Sequence, residues 1–239
     1  GRLVLPMWHL KSFRPTCVDV DLAALKRNFE KVRLHAGDNK VLAVVKADAY
    51  GHGAPRVARA LEAVGADLFG VAMVEEGEEL RRAGISRPIL VIGGIYPGQE
   101  EALFRLELTP SLFDLDLAHR LNEMALARNV VCSYHLKVDT GMGRVGFLPV
   151  ELPQVLPELS ALSGLVMEGV ASHFALADEP QKIFTTEQLH LFRHCLDLIR
   201  QHGFSPSTIH IANSAALFSQ DIPECNMVRP GIVLYGALP

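Results

Sequence analysis

VLAVVKADAYGHG, residues 41–53, joins an unbroken apolar run to a lysine and a turn punctuated by two glycines. The run 41–45 is short, rich in β-branched residues and free of polar alternation, as in a strand buried on both faces of a parallel sheet. A charged Lys46 at the carboxyl end of such a strand is costly to leave unpaired, so it needs a partner or a function. An amine held beside a low-polarity wall loses its proton readily and becomes a nucleophile for an aldehyde. The plain alternative is a strand-end lysine that snorkels to solvent.

Further apolar runs lie at 68–72, 89–92, 110–113, 133–138, 165–171, 208–212 and 227–235, separated by amphipathic helical stretches. That alternation predicts βαβ units, a parallel sheet and, at about eight strands, an α/β chain folded as a (β/α)8 TIM-like barrel. In PRVARALEAVG, Pro55 suits a first turn, Val57, Leu61 and Val64 share a face, and Gly65 stands where a left-handed cap belongs. Thr185 and Gln188 have the spacing of a capping box, followed by an inward stripe of Leu189, Phe192, Leu196 and Ile199 that ends at Gly203. An early run at 17–20, ahead of a helix over about 21–35, is one strand more than a barrel needs and is expected outside it. Residues 1–14 read as an N-terminal extension and 15–239 as one barrel domain, because a barrel of about 250 residues nearly exhausts the chain.

An apolar content of 49% supplies a large core, and a net charge of -4 offers no basic field for nucleic acid or an anionic membrane. A small-molecule substrate is therefore expected. Cys17, Cys132, Cys195 and Cys225 form no CxxC pair, which argues for reduced thiols against zinc or a disulfide framework. The opening GRLVLPMWHL, with one Arg and an apolar run broken by Pro6, makes a poor signal peptide, and no segment approaches the ~18 apolar residues of a membrane span. The expected location is cytoplasmic.

Five stretches carry chemistry. After Lys46, residues 50–53 supply glycines that let backbone approach a ligand and Tyr50, whose hydroxyl can reach an anion. HLKVDTGMGRVGF, residues 135–147, runs a strand into a glycine-rich loop that delivers Arg144, suited to a carboxylate or phenolate unless Asp139 takes it as an ion-pair partner. GVASHFALAD, residues 169–178, ends a strand at His173, with no second histidine at metal-ligand spacing and so no metal site. In IHIANSAA, residues 209–216, Asn213 and Ser214 close a strand and open a helix whose free amides suit phosphate. MVRPGIVLYG, residues 227–236, places Arg229 and the amides of Gly231 and Ile232 toward one pocket. All lie at predicted carboxyl ends of strands, where barrel active sites form.

KADAYGHG resembles the cofactor-lysine signature of alanine racemases, AVVKANAYGHG, with Asp48 in place of the usual Asn. The resemblance continues through HLKVDTGMGRVG, SHFA, HIANSA and VRPGIVLYG and covers residues 15–238. It implies a fold-type III pyridoxal-phosphate enzyme that interconverts L- and D-alanine, supplying D-alanine for bacterial peptidoglycan. By that resemblance Lys46 is the Schiff-base lysine and the base on one face of the substrate. Tyr50, Ser214 and the amides of Gly231 and Ile232 contact phosphate, Asn213 adjoins them in the cofactor site, Arg229 hydrogen-bonds the pyridine nitrogen, Arg144 meets the phenolic oxygen and substrate carboxylate, and His173 packs on the ring. Lys137 matches a lysine that is carbamylated in some relatives. The family acts as a homodimer whose second base is a tyrosine in a carboxy-terminal β domain, which would begin where this sequence stops. Tyr235, on the predicted last strand, does not fill that role, nor do Tyr96 and Tyr134. Alternatives are a single-domain pyridoxal-phosphate carrier, a racemase of other amino acids, and a barrel aldolase using Lys46 without cofactor.

Overall fold

The computed structural model describes residues 18–174, 183–211 and 222–237. Asp21 starts the first helix by accepting the amides of Ala23 and Ala24 at 2.8 and 3.0 Å. Helix α1 then runs Leu22–Ala36 and stops at Gly37, with φ +57. The expected early strand does not form: residues 18–20 are irregular and Val18 is 77% exposed, with no neighbouring strand to pair with among the described residues. Cys17 lies outside the described residues.

The strands are β1 Lys40–Val44, β2 Leu68–Val71, β3 Ile89–Val91, β4 Leu108–Leu112, β5 Cys132–Lys137, β6 Leu165–Ala171, β7 Thr208–His210 and β8 Met227–Val228. Every pairing is parallel, in the order β7-β6-β5-β4-β3-β2-β1-β8. Asn226 spans the gap between the two ends of that order. Its N–H donates to the Ile209 carbonyl at 3.0 Å and its side-chain oxygen accepts the Ile209 N–H at 2.8 Å. The eight strands thereby form a nearly closed barrel, as expected of the (β/α)8 class.

A short turn, α2 (Lys46–Gly51), follows β1. Outer helices α3 (Ala54–Ala63), α4 (Val74–Arg82), α5 (Glu100–Arg105), α6 (Leu115–Ala127), α7 (Leu152–Ala161) and α8 (Ile183–Gln201) then follow β1 to β6. Helix α1 covers β1, α3 and a 3-10 turn at Ile232–Tyr235. Helix α3 buries Val57 and Leu61 and is followed by Gly65 at φ +94. In α8, Phe192, Leu196 and Ile199 are buried as expected, and Gly203 follows at φ +84.

Two expectations fail locally. Helix α8 already begins at Ile183, so Thr185 lies inside it and not at its start, while Gln188 donates its amide to the His173 carbonyl at 3.0 Å. The run 227–235 is a strand only at Met227–Val228, because Pro230 has no N–H to pair and Gly231 turns the chain into the 3-10 turn. Tyr235 is therefore not on a strand, and its hydroxyl donates to the Val44 carbonyl at 2.8 Å.

The barrel interior is divided by polarity. Leu42, Val44, Leu90 and Met227 form an apolar cluster with Leu68 and Ile92. Gly70 makes room for it, since a Cβ there would lie 2.5 Å from Leu42 Cδ2 and 2.7 Å from Ile92 Cδ1. Strands β4, β5 and β7 and the end of β8 contribute buried Ser111, His135, Lys137, His210 and Arg229. The larger apolar core fills the layer between strands and helices. Cys132, Cys195 and Cys225 are buried free thiols, and among the described residues no helix is long and apolar enough to cross a membrane.

Candidate active site

Two residues past the end of β1, Lys46 continues the inward series Leu42 and Val44 at period two and is half-buried. Residues 47–50 then adopt left-handed backbone, with φ +53 to +54 and ψ +37 to +53. Only Asp48 among them is a residue type enriched there, and such backbone costs about 1–2 kcal/mol for each residue. Hydrogen bonds oppose the cost. The Ala49 N–H reaches the Val45 carbonyl at 2.9 Å, Gly53 N–H the Asp48 carbonyl at 3.0 Å, and Ala54 N–H the Asp48 carboxylate at 2.7 Å. Glu76, in the first turn of α4, accepts the Ala47 N–H at 2.7 Å.

The turn presents Tyr50 back toward the end of the chain. Its ring lies 4.9 Å from that of Tyr235, and a Cβ on Gly231 would sit 2.6 Å from its hydroxyl oxygen. Gly231 is buried, whereas Ile232 is 42% exposed.

The loop after β5 is organised by Asp139, but not as an ion pair with Arg144. Its carboxylate accepts the amides of Gly141, Gly143 and Arg144 at 2.9, 3.1 and 3.1 Å. The Thr140 and Ser172 hydroxyls, 2.8 Å apart, tie this loop to the end of β6. Gly146 must pass close by, since a Cβ there would stand 2.6 Å from the Asp139 nitrogen, and its φ is +133.

Arg229, buried just past β8, is held by backbone carbonyls and imidazoles. One terminal nitrogen lies 2.5 Å from His210 Nδ1 and 3.1 Å from the His210 carbonyl; the other lies 2.6 Å from the Ser172 carbonyl and 3.2 Å from His173 Nδ1. His210 Nε2 is in turn 2.8 Å from His135 Nδ1.

These groups share one electrostatic environment. Burial pushes the Lys46 amine down, and the charges of Arg144 and Arg229 push the same way against an opposing pull from Glu76. Burial, then Arg229 and Arg144, hold Lys137 well below the usual lysine range. His173 is pushed down to about 3 by burial and by Arg229, Lys137, Arg144 and Lys46. Burial lowers even Arg229, to about 10. Among the described residues no carboxylate comes within ion-pair distance of Lys46, Lys137, Arg144 or Arg229. Lys137 and Arg229 are buried, Lys46 is half-buried and Arg144 is exposed at the rim, and a set of basic groups with no carboxylate in ion-pair contact is an environment for anions.

The structure therefore brings together Lys46, Tyr50, Arg144, His173, Arg229 and Gly231 at the carboxyl ends of the strands, with Ile232 beside them at the surface. Asn213 and Ser214 lie outside the described residues. His210, His135 and Glu76 were missed. The histidines occupy strand positions that alternation marks as inward, in HLK and HIA, and Glu76 sits three residues after Met73, at the reciprocal position of a helix start.

Residues 20–239 match the family model for the N-terminal domain of alanine racemase. The chain belongs to the alanine racemase family. It is 49% identical over 234 residues to an alanine racemase of Geobacter sp. strain M21, covering 95% of this chain and 61% of that protein. Among solved alanine racemases, that of Clostridium difficile 630 in complex with cycloserine superposes with TM-score 0.87 at 36% identity, over 91% of this chain and 60% of that one. That of Bartonella henselae with covalently bound pyridoxal phosphate gives TM-score 0.84 at 27% identity, over 92% and 60%. The chain thus spans about three fifths of the length of these alanine racemases.

Proposed function

We propose that residues 15–239 act as the pyridoxal-phosphate-binding barrel of an alanine racemase, which interconverts L- and D-alanine in the cytoplasm and supplies D-alanine for peptidoglycan. The observation that carries this reading is the half-buried Lys46 amine, depressed by burial and by Arg144 and Arg229, among cations that have no carboxylate partner. The donor set fits the cofactor: an amine for its aldehyde, Tyr50 and the Gly231 cradle for its phosphate, and guanidinium groups for its ring substituents. When bound, pyridoxal phosphate supplies an electron sink that makes the substrate α-proton labile.

The chain's own groups do the rest. Lys46 moves a proton on one face of the α-carbon, and Arg144 orients the substrate carboxylate through its planar donors. Arg229 would hold the pyridine nitrogen as a donor that does not yield its proton, which would limit electron flow into the ring and favour racemisation over transamination. His173, neutral above about pH 3, offers a ring face for packing without adding charge. Lys137, whose amine is held well below the usual lysine range by burial, then by Arg229 and Arg144, is a candidate for carbamylation. Returning a proton to the opposite face needs a second base, which we assign to a tyrosine of a carboxy-terminal domain reaching across a homodimer.

The chain alone is therefore expected to bind cofactor and to racemise alanine slowly. One lost acid-base group costs about 10²- to 10⁴-fold, and lost closure over the site adds to that. The test incubates the chain with L-alanine and saturating pyridoxal phosphate and follows D-alanine with a coupled oxidase, alongside a longer protein in which this barrel is joined to a carboxy-terminal domain. Activity only in the longer protein, lost on Lys46→Ala, supports the reading. Cofactor binding without racemisation in either would favour a carrier, and turnover of other amino acids in preference to alanine would favour a broader racemase.

A further inference from the structure

We propose that Glu76 is the positioning residue of Lys46, a carboxylate clamp that holds the left-handed turn 47–50 against the neighbouring strand end and sets the amine's direction. Its bearing on cofactor capture rests on the function proposed above; the clamp itself rests on geometry. One carboxylate oxygen accepts the Ala47 N–H at 2.7 Å, while the other accepts Ala72 N–H at 2.6 Å and Met73 N–H at 3.2 Å. These amides belong to the junctions after β1 and β2, adjacent parallel strands in which Val44 pairs with Gly70. A single side chain therefore joins the residue after Lys46 to the next strand's exit.

Both oxygens are used as acceptors, so a carboxylate is required. In Glu76→Gln one end of the side chain becomes an NH2 facing backbone N–H groups, and donor meets donor. The left-handed turn has a steric cost to offset, and its first amide, that of Ala47, is taken by the Glu76 carboxylate. Glu76 also places its negative charge where it favours the Lys46 ammonium, against Arg144 and Arg229.

The two effects of removal oppose each other, which distinguishes positioning from a general loss of structure. Without the carboxylate the Lys46 amine titrates lower and is more often neutral, yet it points less reliably at an incoming aldehyde. The apo chain and its Glu76→Gln variant are compared by amide hydrogen exchange, by pH-dependent acetylation of Lys46 read by mass spectrometry, and by the rate of pyridoxal-phosphate attachment to Lys46 trapped with borohydride. In the variant, exchange at Ala47 and Ala49 rises and attachment slows, each by about tenfold or more, the size of effect given by a lost hydrogen bond to a charged group. The acetylation midpoint moves to lower pH. Glu79→Gln, on the exposed side of the same helix, changes none of these.

Unaltered exchange at Ala47 together with unaltered attachment in Glu76→Gln overturns the proposal. Should that variant fail to fold, the parent decides: Ala47 is exposed, so protection of its amide supports the clamp and rapid exchange overturns it. A parent chain with a protected Ala47 amide but no attachment at Lys46 overturns the cofactor reading and leaves the clamp standing.

Discussion

Arg229 donates to His210 Nδ1 across 2.5 Å, and that single contact fixes the protonation of a buried row of imidazoles. A guanidinium only donates, so His210 Nδ1 must accept and its proton must sit on Nε2. That proton points at His135 Nδ1, 2.8 Å away, which places the His135 proton on Nε2. Arg229 also donates to His173 Nδ1 at 3.2 Å. All three rings are thus neutral in the folded state.

The first expected consequence is acid lability. The ordinary imidazole value is 6.5, whereas burial, followed by Arg229, lowers His135 to about 4 and His173 to about 3, and His210 lies well below normal for the same reasons. The unfolded chain therefore binds protons that the folded chain refuses. Stability from these groups is fully present above pH 6.5 and falls as pH drops toward 4, by about 1.4 kcal/mol per pH unit for each ring. Denaturant midpoints measured from pH 7 to pH 4 should fall steeply, and a flat profile would contradict the neutral row.

Replacing Arg229 with glutamate should do two things. The carbonyls of Ser172 and His210 lose their donor and a carboxylate is buried among them, which should destabilise the fold by about 3–5 kcal/mol. In a protein that joins this barrel to a carboxy-terminal domain, a carboxyl partner should also favour a protonated pyridine and raise pyridoxamine phosphate formation relative to racemisation. Product analysis of Arg229→Glu against the parent checks this, and unchanged transamination would remove the assigned role.

Much of this site was legible because strand-end chemistry follows period-two alternation and glycine placement, both local properties. Lys46, Arg144, His173 and Arg229 were found from the apolar runs that precede them. What stayed hidden depends on contacts between distant segments. No spacing announces that the Glu76 carboxylate reaches Ala47, or that residues 47–50 are left-handed, since three of the four are Ala or Tyr. The last strand was read too long because the apolar residues 232–235 suit a 3-10 turn under α1 as well as a strand. The sequence left Asp139 as an alternative ion-pair partner for Arg144, whereas in the structure the loop's own amides take the carboxylate.

Gly231→Ala should weaken pyridoxal-phosphate binding because the added methyl would stand 2.6 Å from the Tyr50 hydroxyl oxygen. Withdrawal of Tyr50 would disturb its tilted ring contact with Tyr235, at 4.9 Å between centroids. Affinity measured by fluorescence titration should fall about tenfold or more, the scale of overpacking by 1–3 kcal/mol. Adding Tyr50→Phe removes the colliding atom and should recover part of the loss; a double variant weaker than the sum of the singles would contradict the collision.

Tyr134 is buried on β5, its hydroxyl has no hydrogen-bond partner among the described residues, and burial raises its pKa. Tyr134→Phe should therefore be neutral or stabilising by about 1 kcal/mol, since it removes an uncompensated polar atom and keeps the ring. A denaturant midpoint shifted down by that much would reveal a partner for the hydroxyl.

The central claim is that this barrel places one reactive amine, Lys46, among cations that receive pyridoxal phosphate. The most direct measurement treats the chain with stoichiometric pyridoxal phosphate at neutral pH, reduces it with borohydride and maps the label by peptide mass spectrometry. The expected result is a single labelled residue, Lys46, with labelling abolished in Lys46→Ala. Label distributed over exposed lysines such as Lys31 and Lys40, with Lys46 unmodified, would contradict it.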